Sequence, residues 1–135
     1  MMSEFQLHID FTKKIEVCDL KLNKVLIEKT KDFFWLILVP RLPDLKTIVD
    51  FDDQNYDLFC SEVRFVAKVL KKEFNAEHLN IATIGNITPQ LHCHIIVRNK
   101  NDALWPKPVW GEKITPVNDE DLLQIVGKLK ELLVK

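Results

Sequence analysis

The stretch Gln90-Leu91-His92-Cys93-His94-Ile95-Ile96-Val97, directly after Asn86-Ile87-Thr88-Pro89, sets two of the chain's four histidines two positions apart in a run of strand-like alternation. Successive side chains on a strand point to opposite faces. Gln90, His92 and His94 are therefore expected on one face. Leu91, Cys93, Ile95 and Val97 are expected on the other, buried against a core. Two imidazoles held side by side on a rigid element suit chemistry better than packing.

Outward from this strand, residues 85–89 (Gly-Asn-Ile-Thr-Pro) read as a turn and residues 78–84 as a preceding strand. Phe33-Phe34-Trp35-Leu36-Ile37-Leu38-Val39 is continuously apolar and stops at Pro40. That is the pattern of a central strand covered on both sides. Residues 20–27, with Leu20, Leu22 and Leu26 beside β-branched Val25 and Ile27, read as its hairpin partner across the polar turn at 29–32. Tyr56, Phe59, Val63, Val66, Leu70 and Phe74 recur at spacings of three and four behind Asp52 and Asp53, which predicts a helix; Leu58, Phe65 and Val69 widen its apolar stripe. Leu122, Ile125, Val126, Leu129, Leu132 and Leu133 predict a second helix behind Asn118 as N-cap. Residues 1–18 show no clear pattern and receive no assignment. Two prolines two residues apart keep 105–111 out of any helix. The order strand-strand-helix-strand-strand-helix argues for an α+β fold with an antiparallel sheet.

A chain of 135 residues fits one domain, spanning 1–135. A net charge of −1 gives no basic face for a duplex nucleic acid, yet leaves room for a small phosphorylated ligand. Cys18, Cys60 and Cys93 are odd in number and far apart, with no CxxC pair, so they read as buried thiols in a reducing compartment. Residues 1–10 lack a basic region followed by an apolar run, and no apolar run approaches the roughly 20 residues that cross a bilayer. The expectation is a cytoplasmic, soluble protein.

A strand-borne histidine can attack phosphorus as a nucleophile, forming a phosphoramidate that a second step breaks. Its attacking nitrogen must be unprotonated and its other nitrogen held by an acceptor. A neighbour on the same face can donate to the phosphate as charge builds. His92 and His94 meet that spacing. Two other readings stand beside this one: polar residues on an exposed sheet face, and a zinc-binding His-x-His pair, for which His8 and His78 are remote and Cys93 faces away.

The run Asn80-Ile81-Ala82-Thr83-Ile84-Gly85-Asn86, followed by Gln90-Leu91-His92-Cys93-His94-Ile95-Ile96, resembles the signature of the histidine triad (HIT) nucleotide-binding family, His-φ-His-φ-His-φ-φ with φ apolar. Leu36-Ile37-Leu38-Val39-Pro40-Arg41 is similar to that family's apolar strand ending in Val/Ile-Pro-Lys/Arg, and Trp105-Pro106 to a Trp-Pro found in some members. The resemblance covers most of residues 20–111. It implies a HIT-like sheet of about five antiparallel strands with two helices, and a homodimer. It also implies hydrolysis or transfer at the α-phosphate of a nucleoside phosphate derivative, such as a dinucleoside polyphosphate, a phosphoramidate or a nucleotide-sugar-like compound.

Carried over by position, the resemblance makes His92 the nucleophile, with its tautomer fixed by the backbone carbonyl of Gln90, and sets His94 on the phosphate. Asn80 matches an asparagine beside the site, or pins its own loop; Glu28 falls near an acidic residue that binds ribose hydroxyls; Trp105 and Trp110 lie in a stretch close to the site, or cap the core. Asn86 follows Gly85 in a turn whose backbone N–H groups can face a phosphate, or which is a plain hairpin turn. Leu26 and Ile27 are candidates to sandwich a base, or core. The chain departs from the family twice. Gln90 stands at the first triad position, as in a bacterial variant, and Trp35 stands where many members carry a further histidine. Gln can donate a hydrogen bond to a phosphate but cannot move a proton near neutral pH. No cofactor and no metal site is implied. The alternative function is a module that binds a purine nucleotide without turning it over.

Overall fold

In the computed structural model, which describes residues 4–134, the strands are β1 (Ile15–Asp19), β2 (Asn23–Ile27), β3 (Trp35–Pro40), β4 (His78–Ala82) and β5 (Cys93–Arg98). They form one five-stranded sheet, antiparallel throughout, in the order β1-β2-β3-β5-β4. The two helices are α1 (Asp53–Glu73) and α2 (Asp119–Leu133). The first three residues of the stretch read as lacking a leader, and the two ends of the 1–135 span, lie outside the described residues.

All six residues of β3 are buried because the strand is covered on both faces. Leu36 and Leu38 point into the helical layer, where Phe59, Val66 and Leu70 of α1 and Leu122, Leu129 and Leu133 of α2 meet Cys93, Ile95 and Val97 of β5. Burying each such side chain stabilises the fold by about 1.5–3 kcal/mol. Trp35, Ile37 and Val39 point the other way, into a second cluster closed by Phe11 and Val109. That second face is covered by irregular chain from residues 5–14 and 104–114, and it carries the histidines.

Asp52 caps α1 by accepting from the Asn55 N–H at 2.8 Å, and Lys71 and Lys72 close the opposite end of its dipole. Glu62, on the buried face of α1, accepts from the N–H groups of Leu22 and Asn23 and from the Asn23 amide at 2.9–3.1 Å through one oxygen. The helix is thereby pinned to the β1–β2 turn.

The structure departs from the sequence expectations at five places. The strand expected over 90–97 begins only at Cys93, because the Leu91 N–H is taken by the Leu45 carbonyl at 2.9 Å rather than by a ladder neighbour. The strand expected over 20–27 begins at Asn23, and that over 78–84 stops at Ala82. The fifth strand, β1, lies in the segment left unassigned; its register against β2 slips between Glu16 and Cys18, which breaks the alternation that would have revealed it. Finally, Phe65 and Tyr56 are 41% and 37% exposed, so the apolar stripe of α1 is wider than the face it buries.

Candidate functional site

His94 sits within β5, between Ile37 of β3 and Ala82 of β4, and His92 lies just before the strand begins. Their rings meet edge to face with centroids 4.8 Å apart. Both are more than nine-tenths buried, at 7% and 8% exposure, so they are not polar residues on an open sheet face. Phe11 packs edge-on against His92 at 4.8 Å, while Trp35 and Trp110 flank His94 at 5.6 and 5.5 Å.

The Nδ1 of His92 lies 2.7 Å from the backbone carbonyl of Gln90. A carbonyl only accepts, so this nitrogen carries the proton and Nε2 presents its lone pair. Burial lowers the His92 pKa from its ordinary value, against the raising effect of the carbonyl, and the Lys14 charge lowers it further. The indole Nε1 of Trp35 donates to Nδ1 of His94 at 3.0 Å. Burial, then the neighbouring His92, then Lys14 push the His94 pKa down to about 3. Among the described residues neither Nε2 has a hydrogen-bond partner within the chain.

The side chain of Gln90 is occupied elsewhere. Its Oε1 accepts from the His8 N–H and its Nε2 donates to the Gln6 carbonyl, both at 2.8 Å. The amide therefore straps the N-terminal segment over the histidines and is not free to hold a phosphate. Thr88 strengthens the strap by donating to Asp10 at 2.6 Å.

The other expected residues divide. Asn80 lines a cleft of about 380 Å³ beside β4 together with Ala82, Pro106, Pro108 and Trp110, and its Oδ1 accepts from Arg98 at 2.7 Å. Glu28 is ion-paired to Lys14 at 2.6 Å, with both side chains about four-fifths buried. Asn86 is exposed in the β4–β5 loop; its neighbour Gly85, at φ +64°, lines a smaller cleft of about 120 Å³ with His92, Thr47 and Thr83. Trp105 stacks near Arg98 and His78, at 5.6 and 6.4 Å. It is Trp110 that reaches His94, with its indole N–H buried and unpartnered. Leu26 and Ile27 are fully buried core residues.

Phe11, Lys14 and Arg98 are neighbours of the site that the sequence did not single out, whereas Trp110 lies in the stretch expected near it. For Arg98 a signal existed: it shares strand parity with His94, and an arginine closing an apolar strand must find partners, here Asp102 and Asn80. Phe11 and Lys14 offered none, since their contacts reach far along an unpatterned segment. Cys93 is held as a thiol, its pKa pushed up to about 12 by burial. Among the described residues no three His, Cys, Asp or Glu side chains are grouped to hold a metal ion, and no helix is long and apolar enough to cross a membrane.

A family model described as HIT domain matches residues 17–101. No curated protein matches the chain. Among solved structures, a histidine triad protein from Bradyrhizobium japonicum is 36% identical, with TM-score 0.92, covering 97% of this chain and 99% of its own. One from Marinobacter aquaeolei VT8 is 30% identical, with TM-score 0.93 and 98% of both chains covered. A third, from Sinorhizobium meliloti 1021, is 33% identical, with TM-score 0.91, covering 98% of this chain and all of its own.

Proposed function

Because this chain belongs to the histidine triad (HIT) family, whose members are generally nucleotide hydrolases or transferases, we propose that it cleaves nucleoside phosphate derivatives at the α-phosphate through a nucleotidyl-histidine on His92. The observation that carries this reading is the 2.7 Å contact between Nδ1 of His92 and the Gln90 carbonyl, which turns an Nε2 lone pair outward.

In the first step that lone pair forms a bond to phosphorus, and the bond from phosphorus to the leaving oxygen breaks with its electron pair on the leaving group. The ring becomes a cation, and the Nδ1–H to Gln90 carbonyl bond strengthens with it. In the second step the oxygen of water or another hydroxyl acceptor attacks phosphorus, the P–N pair returns to Nε2, and the acceptor's proton passes to bulk water. His94 stands next to His92 to donate to the phosphate. Gln90 serves through its carbonyl, as the bacterial variant of the triad, and Asn80 and Trp105 support the cleft beside β4. Glu28 with Lys14 supplies charge near the ribose and phosphates, and Asn86 shapes the loop over the smaller cleft. The reading needs no cofactor.

The proposal extends to a cytoplasmic homodimer of one domain per chain, residues 1–135. Support for the dimer comes from β4, the sheet's last strand, where Ile81 is 47% exposed next to an apolar cleft lined by Phe59, Val63 and Ala67. The three cysteines are unpaired, as a reducing compartment permits, but only Cys93 is buried as expected; Cys18 is half-buried and Cys60 exposed. The competing reading is a purine-nucleotide binder without turnover. His92→Ala tested beside the wild type separates them: lost turnover with retained nucleotide binding supports the enzyme. A wild type inert across a panel of adenylated and guanylated compounds supports the binder.

A further inference from the structure

His94 and His92 are neighbours on one face, yet their Nδ1 atoms meet partners of opposite kind. The partner of His92 is a carbonyl, which only accepts. The partner of His94 is an indole N–H, which only donates. A proton on Nδ1 of His94 would set two N–H groups against each other at 3.0 Å. The lone pair must therefore stay on Nδ1, and the single ring proton must stand on Nε2.

We propose that Trp35 is a positioning residue that locks His94 as a neutral ring with its proton on Nε2, a permanent hydrogen-bond donor that does not transfer protons. The two rings then present complementary atoms to one phosphate: a lone pair from His92 and an N–H from His94. This assignment deepens the reading of the site as a phosphate-transfer centre and rests on it for the identity of the bound group. The tautomer itself does not depend on that reading.

The groups around His94 agree. Trp35 lies 6% exposed on β3, its indole fixed edge-on between His94 and Trp110. The titratable neighbours are His92 on the same strand approach and Lys14 from the N-terminal segment, the latter paired with Glu28. Among the described residues the charges that act on His94 are those of His92 and Lys14, and both disfavour a protonated ring. A histidine at position 35 could accept as well as donate and would leave the tautomer of His94 free. Tryptophan removes that choice.

The test is nitrogen-15 NMR of the histidine rings in the wild type, Trp35→Phe and Trp35→His, with a pH profile of nucleotide turnover alongside. The expected wild-type result is a pyridine-like Nδ1 and a pyrrole-like Nε2 for His94, constant from about pH 5 to 9. Trp35→Phe keeps the bulk and removes the donor. There the tautomers should mix, the titration midpoint of His94 should rise by about one unit or more, and a new ionisation should enter the turnover profile. Trp35→His, which can accept as well as donate, should also leave the tautomers mixed. A wild-type His94 protonated on Nδ1 overturns the proposal, as does a tautomer unchanged in a folded Trp35→Phe. Should the tautomer behave as expected while no nucleotide is turned over, the phosphate-transfer reading fails and the role of Trp35 stands.

Discussion

Gln90 serves His92 with its main chain and leaves it with its side chain: the carbonyl holds Nδ1 at 2.7 Å, while the amide turns to the backbone of Gln6 and His8. A change of side chain at position 90 therefore leaves the tautomer of His92 in place and releases the segment above it.

Gln90→Ala should raise amide exchange at His8 and its neighbours and lower stability by about 1 kcal/mol, the worth of one part-buried and one exposed hydrogen bond. Turnover should fall less than tenfold, against about a thousandfold or more for His92→Ala. Unchanged exchange at His8 would contradict the strap.

Both imidazoles are held below their ordinary pKa, His94 at about 3. Between about pH 6.5 and 3 the unfolded chain therefore binds protons that the folded chain refuses. This contribution to stability is whole above pH 6.5 and is lost as the pH falls through that window, with a slope of up to about 1.4 kcal/mol per unit for each ring. Denaturation of wild type and His94→Gln at pH 7, 6 and 5 should show the shallower slope in the variant. Parallel slopes would mean that His94 titrates normally.

Glu62 gathers three donors from the β1–β2 turn in a site only 8% exposed. Glu62→Ala leaves those donors buried without a partner and should destabilise by about 3 kcal/mol, with Glu62→Gln recovering part of it. The check is a urea melt. An alanine variant as stable as wild type would show that water replaces the carboxylate without loss.

With Gln90 unable to titrate and His94 held neutral, the centre favours leaving groups that depart unprotonated. Phosphoanhydride substrates should be cleaved at least about tenfold faster than matched phosphoramidates at neutral pH, a difference of about 1.4 kcal/mol in barrier. Steady-state kcat/KM on one pair with a common nucleoside decides this, and a preference for the phosphoramidate would require a proton donor in the site.

The sheet face bearing the histidines was legible from alternation, and the continuous run before Pro40 marked a strand covered on both sides. The register slip in β1 hid that strand, because a bulge shifts side chains across the faces that periodicity relies on. The cover of the site was hidden for another reason. Gln90 meets Gln6 and His8 across more than 80 positions, and no local rule pairs an amide with a distant backbone. Trp35 could be read as a missing histidine, whereas its donor role emerged only from the 3.0 Å contact with His94. Glu28 was expected near ribose hydroxyls by position, and its ion pair with Lys14 comes from a segment without a legible pattern.

The lone pair that His92 presents is the centre of the proposed chemistry. Incubating the protein with an adenylated or guanylated substrate, quenching in mild alkali and mapping peptides by mass spectrometry measures this directly. The prediction is an acid-labile nucleotidyl adduct on His92, absent in His92→Ala. An active enzyme that carries no adduct on His92, or carries it on His94, would contradict it.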